Sequence, residues 1–128
     1  MNNSVPQISE AEIEVMKVLW EKDASTAKEI IAEIEKTNDW KPKTIQTLLS
    51  RLVAKGAVRT EKKDAKSFIY SAAVKKEDYQ SYANRSFIKK LYDGSLNLML
   101  ASFIKDAQLS KADIEGLKNI LEEKQNES

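Results

Sequence analysis

The 128-residue sequence contains no cysteine and no histidine, and only three glycines. Without cysteine there is no disulfide framework and no thiolate metal site. General acid–base catalysis usually recruits histidine, and nucleophilic sites pair serine or cysteine with a base. Three glycines are too few for a phosphate-cradling loop. We therefore expect a protein that is not an enzyme and that holds neither a metal nor a cofactor.

Long hydrophobic runs are also absent. No apolar segment approaches the length of a membrane span, and Met1-Asn2-Asn3-Ser4 lacks the basic and apolar runs of a signal peptide. With 41% hydrophobic residues the chain can still bury a core, and its length suits one or two small units. The sequence predicts a cytoplasmic protein without membrane insertion.

Charge is unevenly distributed along the chain, although the net charge is only +1. Residues 1–40 carry four lysines and nine acidic residues, whereas residues 41–66 carry eight basic residues and two acidic ones. Residues 67–128 carry nine of each sign. A concentrated basic window indicates a nucleic-acid site. The alternative is a charged, solvated surface whose cations cluster by accident.

The basic window contains a helix with two unlike faces. Pro42 suits the first helical turn, and Gly56 suits the left-handed residue that follows a helix. Apolar residues recur at i, i+3, i+4 and i+7 and form one stripe: Ile45, Leu48, Leu49 and Leu52. The opposite face is polar, cationic and free of carboxylates: Lys43, Thr44, Gln46, Thr47, Ser50 and Arg51. Such a face suits a polyanion.

The segments around this helix predict a winged helix-turn-helix. Capping boxes at Ser9 and Thr26 predict one helix over 10–22 and a second that ends near Lys36. After Gly56 the apolar period changes to two, so Val58 with Thr60 and Phe68 with Tyr70 predict a hairpin with a charged tip. We therefore expect a mainly α protein with a small β-hairpin, and a DNA-binding domain over residues 1–73.

Residues 74–128 predict a helical dimerisation domain. The pattern is helical from about Lys76 to Ile104, with a bend at Asp93-Gly94, and another helix begins after Ser110. Two helices make a thin core, which improves if a second copy packs against them. The alternative is that they fold back onto the winged helix. The expected dimer residues are Phe87, Leu91, Leu96, Met99, Leu100, Phe103, Leu117, Ile120 and Leu121.

The expected partner is double-stranded DNA. Lys43 and Thr44 lie in the first turn, which comes closest to base edges. Thr47 offers a hydroxyl and a thymine-matching methyl group, and Arg51 suits a phosphate. The expected DNA-binding residues are Lys43, Thr44, Gln46, Thr47, Arg51, Lys62, Lys63 and Lys66. Two alternatives stay open: a winged helix that binds a protein, and a regulator that senses a small ligand.

The sequence resembles the penicillinase and methicillin-resistance repressors (BlaI/MecI type), which share a family with copper-responsive repressors. The most specific match is the block Trp40-x-Pro42-Lys43-Thr44-Ile45-x-Thr47-Leu48, followed by Arg51-Leu52-x-x-Lys55-Gly56. Further matches begin at Ile8-Ser9-x-Ala11-Glu12 and end at Leu117-x-Asn119-Ile120-Leu121, so the resemblance covers nearly the whole chain.

This resemblance implies a homodimeric repressor with an N-terminal winged helix and a C-terminal dimer domain. It implies palindromic operators with TACA/TGTA elements ahead of β-lactamase or penicillin-binding-protein genes. It also implies induction through a membrane β-lactam sensor that leads to cleavage of the repressor in the dimer domain. The copper-responsive branch carries a C-terminal cysteine cluster, so the absence of cysteine argues against copper sensing.

Two positions depart from the family pattern. The cleaved bond of the family typically follows Asn and precedes Phe, whereas this chain has Ser102-Phe103. At the tip of the wing, Ala65 stands where Gly or Asn would ease a left-handed turn. That conformation costs alanine about 1–2 kcal/mol, so the sequence predicts a different turn.

Overall fold

Six helices and one two-stranded sheet make up residues 5–127, the part of the chain that the computed structural model describes. They follow in the order α1 Glu10–Lys22, α2 Ala27–Glu35, α3 Pro42–Ala54, β1 Val58–Lys62, β2 Phe68–Ala72, α4 Lys76–Tyr92, α5 Leu96–Asp106 and α6 Lys111–Asn126. The expected mainly α fold with one hairpin is confirmed. Met1–Ser4, on which the expectation of no signal peptide depends, lies outside the described residues. Between residues 5 and 127, no helix combines the length and the hydropathy needed to cross a membrane.

Three helices begin with reciprocal capping boxes. The Ser9 hydroxyl accepts from the Glu12 N–H at 3.2 Å, and the Glu12 carboxylate accepts from the Ser9 N–H at 2.9 Å. Thr26 with Glu29 caps α2 in the same way, and Ser110 with Asp113 caps α6. Each box satisfies backbone N–H groups that have no partner inside the helix, so the sequence located these three starts correctly.

The chain divides into two compact units, Met1–Ala83 and Asn84–Ser128. The first unit has one apolar core, to which α1, α2, α3 and β1 contribute. The turn before α4 and the first part of α4 belong to it. Trp20 Nε1 donates to Val74 O in that turn at 2.8 Å, and the Trp20 and Tyr79 ring centroids lie 5.9 Å apart. Trp20 and Trp40 both pack against the core. A domain boundary at residues 73 and 74 stays a prediction.

The hairpin is joined to the helices by an extra β-bridge. β1 and β2 pair antiparallel with Thr60 opposite Tyr70. Ser25, in the turn between α1 and α2, exchanges backbone hydrogen bonds with Tyr70 at 2.8 and 2.9 Å. This bridge attaches the turn between α1 and α2 to the sheet, and Ser25 is accordingly buried.

The tip of the wing turns around Asp64. Its carboxylate accepts from the backbone N–H of Lys66 at 2.9 Å, and from the N–H and hydroxyl of Ser67 at 3.0 and 3.1 Å. An Asp side chain that binds the backbone two residues on replaces a backbone turn. Within residues 5–127, the non-glycine residues with positive φ are Asp23 and Asp93, so Ala65 is not left-handed. The expected departure from a left-handed tip is confirmed.

A sharp break separates α4 from α5. Asp93 and Gly94 both adopt positive φ, 50° and 84°, and the Gly94 N–H donates to Ile88 O at 3.1 Å. The bend expected in one helix from Lys76 to Ile104 is thus a helix end, because two successive left-handed residues cannot continue a right-handed helix. No residue of α4, α5 or α6 is buried.

Candidate nucleic-acid interface

Helix α3 divides into a buried face and an exposed one, as its sequence predicted. Its apolar stripe is 0–5% exposed and comprises Ile45, Leu48, Leu49 and Leu52. The polar side chains opposite are all exposed. Most of them line one surface hollow, formed by Lys43, Gln46, Thr47, Ser50, Arg51 and Ala54. Thr44 is exposed beside this group. The helix therefore presents a continuous polar face with a cation toward each end.

An ion pair that sequence reasoning missed fixes α3 to the core. Lys55 directly follows α3. Its ammonium group donates to the Glu12 carboxylate and to Gln7 O, the latter at 2.8 Å. The Glu12 side chain is 3% exposed and the Lys55 side chain 36% exposed. The Lys55 ammonium is thus already paired with a carboxylate of the protein. The two residues are 43 positions apart, so no local pattern signals the pair.

The Glu12 carboxyl is held in its charged form. Burial alone would raise its pKa, but the hydrogen bonds from Lys55 and from the Ser9 backbone N–H, with the positive charge of Lys55, together hold the pKa below its ordinary value. Lys55 therefore stabilises a charge that would be costly to bury alone. The contact sets the position of the C-terminal end of α3 against α1.

The cations of α3 and of the wing are not engaged in ion pairs. Among residues 5–127, the salt bridges use five lysines: Lys17, Lys22, Lys36, Lys55 and Lys124. Every cation predicted to bind DNA is exposed, on α3 as described and on the wing at Lys62, Lys63 and Lys66. Glu61 and Asp64 are the acidic residues nearest in sequence to the wing lysines. The Asp64 carboxylate is bound to backbone N–H groups, which lower its pKa. These cations are therefore available to phosphates.

The second unit exposes a large apolar surface. Of the predicted dimer residues, Leu91, Leu96, Ile120 and Leu121 are 52–64% exposed. Phe87, Leu100, Phe103 and Leu117 are 36–49% exposed, and Met99 is half-buried. Leu98, Ile104 and Ile114 add to the same exposed set. Dimerisation through these side chains stays a prediction.

The predicted cleavage bond lies within α5. Ser102 is half-buried, with its hydroxyl 3.4 Å from the Tyr92 hydroxyl. Phe103 stacks in a cluster with Phe87 and Tyr92, at centroid distances of 6.0 and 6.5 Å. The Ser102–Phe103 bond is therefore held in helical geometry between two packed side chains.

Three helices followed by a hairpin, with a polar cationic helix face turned outward, define a winged helix of the DNA-binding class. The sequence profile of the penicillinase repressor family matches residues 8–123. The chain is 43% identical over 122 residues to the penicillinase repressor of Bacillus licheniformis, covering 95% of this chain and 94% of that one. It is 42% identical over 124 residues to the methicillin resistance regulatory protein MecI of Staphylococcus aureus strain N315, covering 97% and 100%. The chain belongs to the penicillinase repressor family.

Two solved structures resemble the winged helix. The DNA-binding domain of the repressor BlaI has a TM-score of 0.54 and 45% identity, covering 61% of this chain and 94% of that one. The monomeric form of Bacillus licheniformis BlaI, in complex with the blaP half-operator, has a TM-score of 0.52 and 46% identity, covering 59% and 92%. The second of these is a DNA complex.

Proposed function

We propose that this chain is a sequence-specific repressor of β-lactam resistance genes, acting on a β-lactamase or penicillin-binding-protein operator in the cytoplasm. The exposed, carboxylate-free face of α3 carries the proposal. Relatives at 42–43% identity are named as penicillinase and methicillin-resistance regulators, and one related structure holds a half-operator. The proposed operator is a palindrome with TACA/TGTA elements.

In this proposal the interface residues have separate roles. The first turn of α3 is the part of a recognition helix that comes closest to the DNA. There Thr44 faces the base edges, and the Lys43 ammonium neutralises a phosphate beside them. Gln46 and Thr47 follow on the same face, and Gln suits the N6/N7 edge of adenine. Arg51 anchors a phosphate one turn further on, and the wing lysines Lys62, Lys63 and Lys66 neutralise neighbouring phosphates.

A gel shift with the TACA/TGTA palindrome and with random duplex, each at two salt concentrations, tests the proposal. We expect retention of both duplexes at low salt, because phosphate contacts are sequence-independent. At physiological salt the palindrome alone should be retained, with a preference on the order of 10³ or more. A winged helix that binds proteins would retain neither duplex, and that result would refute the proposal.

The second unit is proposed to form a homodimer with a second copy. Eleven large apolar side chains between Phe87 and Leu121 are 36–64% exposed. Burying the exposed half of each gives about 1 kcal/mol per side chain, or on the order of 10 kcal/mol per protomer before association costs. Because two protomers contribute, the total free energy of burial exceeds the association cost of about 4–15 kcal/mol.

Sedimentation of the full chain and of residues 1–83 tests the dimer. The full chain should sediment as a dimer. The fragment keeps the core with Trp20, Val74 and Tyr79, so it should fold as a monomer and bind one half-site weakly. A monomeric full chain at micromolar concentration would contradict the assignment, as would a dimeric fragment.

Induction is proposed to proceed by cleavage of the Ser102–Phe103 bond after a membrane β-lactam sensor is occupied. Cutting α5 would disrupt the apolar surface and separate the two DNA-binding units. Affinity for the palindrome would then fall by a factor on the order of 10²–10⁴, as effective concentration is lost. Because the bond is helical, a protease needs α5 to open locally first.

Blotting the repressor before and after β-lactam exposure tests cleavage. The proposal expects fragments of about 102 and 26 residues, as the position of the bond requires. Derepression with the chain intact would instead indicate a small ligand as the inducer.

A further inference from the structure

The Thr47 side chain makes a hydrogen bond within its own helix. Its Oγ1 donates to Lys43 O at 3.0 Å. A threonine hydroxyl has one proton and therefore one donor bond. With the proton directed to the backbone, Thr47 has no donor for a base edge, although its oxygen lone pairs can still accept. The acceptors of the major groove, such as guanine O6 and thymine O4, are thus poor partners for this hydroxyl.

The same bond determines which group Thr47 presents outward. Cβ carries two heavy atoms, and in a helix threonine takes either of two rotamers because the oxygen can bind the carbonyl of the preceding turn. Here the oxygen is turned back onto that carbonyl, so the methyl occupies the remaining position. Thr47 is exposed and lines the hollow shared by Lys43, Gln46 and Arg51. The group offered to a partner of α3 is therefore a methyl between polar neighbours.

In the major groove, one base carries an apolar group of matching size. Thymine presents its C5 methyl there, whereas adenine, guanine and cytosine carry no methyl group on that edge. We propose that Thr47 selects thymine in the operator by contact between the two methyl groups, a reading that rests on the proposed function of α3. The hydroxyl then serves to fix the rotamer. A hydroxyl that accepts from an adenine or cytosine amino group is the competing arrangement.

Two substitutions in the full-length protein separate the methyl from the hydroxyl. Thr47→Val keeps a methyl and removes the hydroxyl with little change of shape, whereas Thr47→Ser keeps the hydroxyl and removes the methyl. The probe is the TACA/TGTA palindrome, with deoxyuridine replacing each thymine of one half-site in turn. Deoxyuridine lacks only the C5 methyl. Thermal unfolding of each variant checks that folding is unchanged.

We expect Thr47→Val to bind the palindrome within about twofold of the unmodified protein. At one thymine, deoxyuridine should weaken binding of the unmodified protein about fourfold, which is the ~0.8 kcal/mol of one buried methyl group converted at 1.4 kcal/mol per tenfold. Thr47→Ser should be weakened on the thymine palindrome and should lose nothing further from deoxyuridine at that position. This non-additivity is the signature of direct contact.

Three results would overturn the inference. If Thr47→Val binds far more weakly than Thr47→Ser, the hydroxyl reads the base. If neither variant nor any deoxyuridine changes binding, Thr47 touches no base. Both results leave the repressor function intact, because the unmodified protein still prefers the palindrome to random duplex. Equal binding of palindrome and random duplex by the unmodified protein would overturn the proposed function together with this reading.

Discussion

Removing Lys55 should destabilise the first unit more than removing the charge of its partner Glu12. In Lys55→Met the Glu12 carboxylate stays 3% exposed and keeps only the N–H donor of Ser9. Loss of one partner of a fully buried pair costs about 3–5 kcal/mol. Because the Lys55 side chain is 36% exposed, we expect the smaller loss of about 2–3 kcal/mol. Glu12→Gln leaves no uncompensated buried charge and should cost about 1 kcal/mol.

The double variant Glu12→Gln/Lys55→Met tests whether the two effects share one contact. Once Glu12 is neutral, loss of Lys55 leaves no buried charge behind. The double variant should therefore be at least 1 kcal/mol more stable than the sum of the single effects predicts. Urea unfolding followed by circular dichroism at pH 7 measures all four proteins. Additive effects, or a Lys55→Met loss below about 0.5 kcal/mol, would refute the buried-pair argument.

The pair also predicts how stability depends on pH. The pKa of Glu12 is lower in the folded protein than its ordinary value of 4.5, so the folded state favours the charged form. The contribution is fully present above pH 4.5 and is lost as the pH falls through the folded pKa. The stability difference between the unmodified protein and Glu12→Gln should therefore be constant from pH 6 to 8 and should shrink below about pH 4.5.

Two further predictions concern turns. Asp23 adopts φ 61° and ψ −129° after α1, a conformation that favours glycine. Asp23→Gly should therefore raise the melting temperature by a few degrees, and Asp23→Ala should not. Equal melting temperatures for the two variants would show that the backbone at Asp23 is not strained. Asp64→Ala removes the acceptor that orders the wing tip, so hydrogen exchange at the Lys66 and Ser67 amides should accelerate while that of α3 stays unchanged. Unaltered exchange at those two amides would show that the tip does not depend on the carboxylate.

Local features of this fold follow from the sequence because each depends on residues within one helical turn. The Ser9, Thr26 and Ser110 capping boxes involve residues three positions apart. The apolar stripe of α3 repeats with the helical period, so its buried face, and with it the exposed face, could be predicted. The candidate DNA-binding side chains accordingly lie where the pattern indicated.

The features that the sequence left open depend on distant contacts or on local backbone geometry. The Glu12–Lys55 pair joins residues 43 positions apart, and by composition Lys55 is one more cation of the basic window. The Ser25–Tyr70 bridge is of the same long-range kind. At Asp93-Gly94 the helical pattern runs on through the break, so periodicity indicated a bend where two left-handed residues end the helix.

The cations of α3 and of the residue that follows it differ in their surroundings. Lys43 and Arg51 lie on the exposed face of the helix, whereas Lys55 is bound to Glu12. Composition alone counts all three equally within residues 41–66. The structure therefore predicts that DNA binding depends on which cations are removed and not simply on how many.

The salt dependence of operator binding measures this claim most directly. Binding of the TACA/TGTA palindrome should be titrated at several salt concentrations for the unmodified protein, for Lys43→Ala and Arg51→Ala, and for the charge-matched control Lys17→Ala on α1, where Lys17 pairs with Glu14 at 3.2 Å. Each lost phosphate contact should reduce the slope of log K against log salt by about 0.9. For Lys43→Ala and for Arg51→Ala we predict that reduction of the slope once for each half-site. For Lys17→Ala we predict an unchanged slope. Equal slopes for all four proteins would contradict the assignment of α3 as the DNA-binding helix.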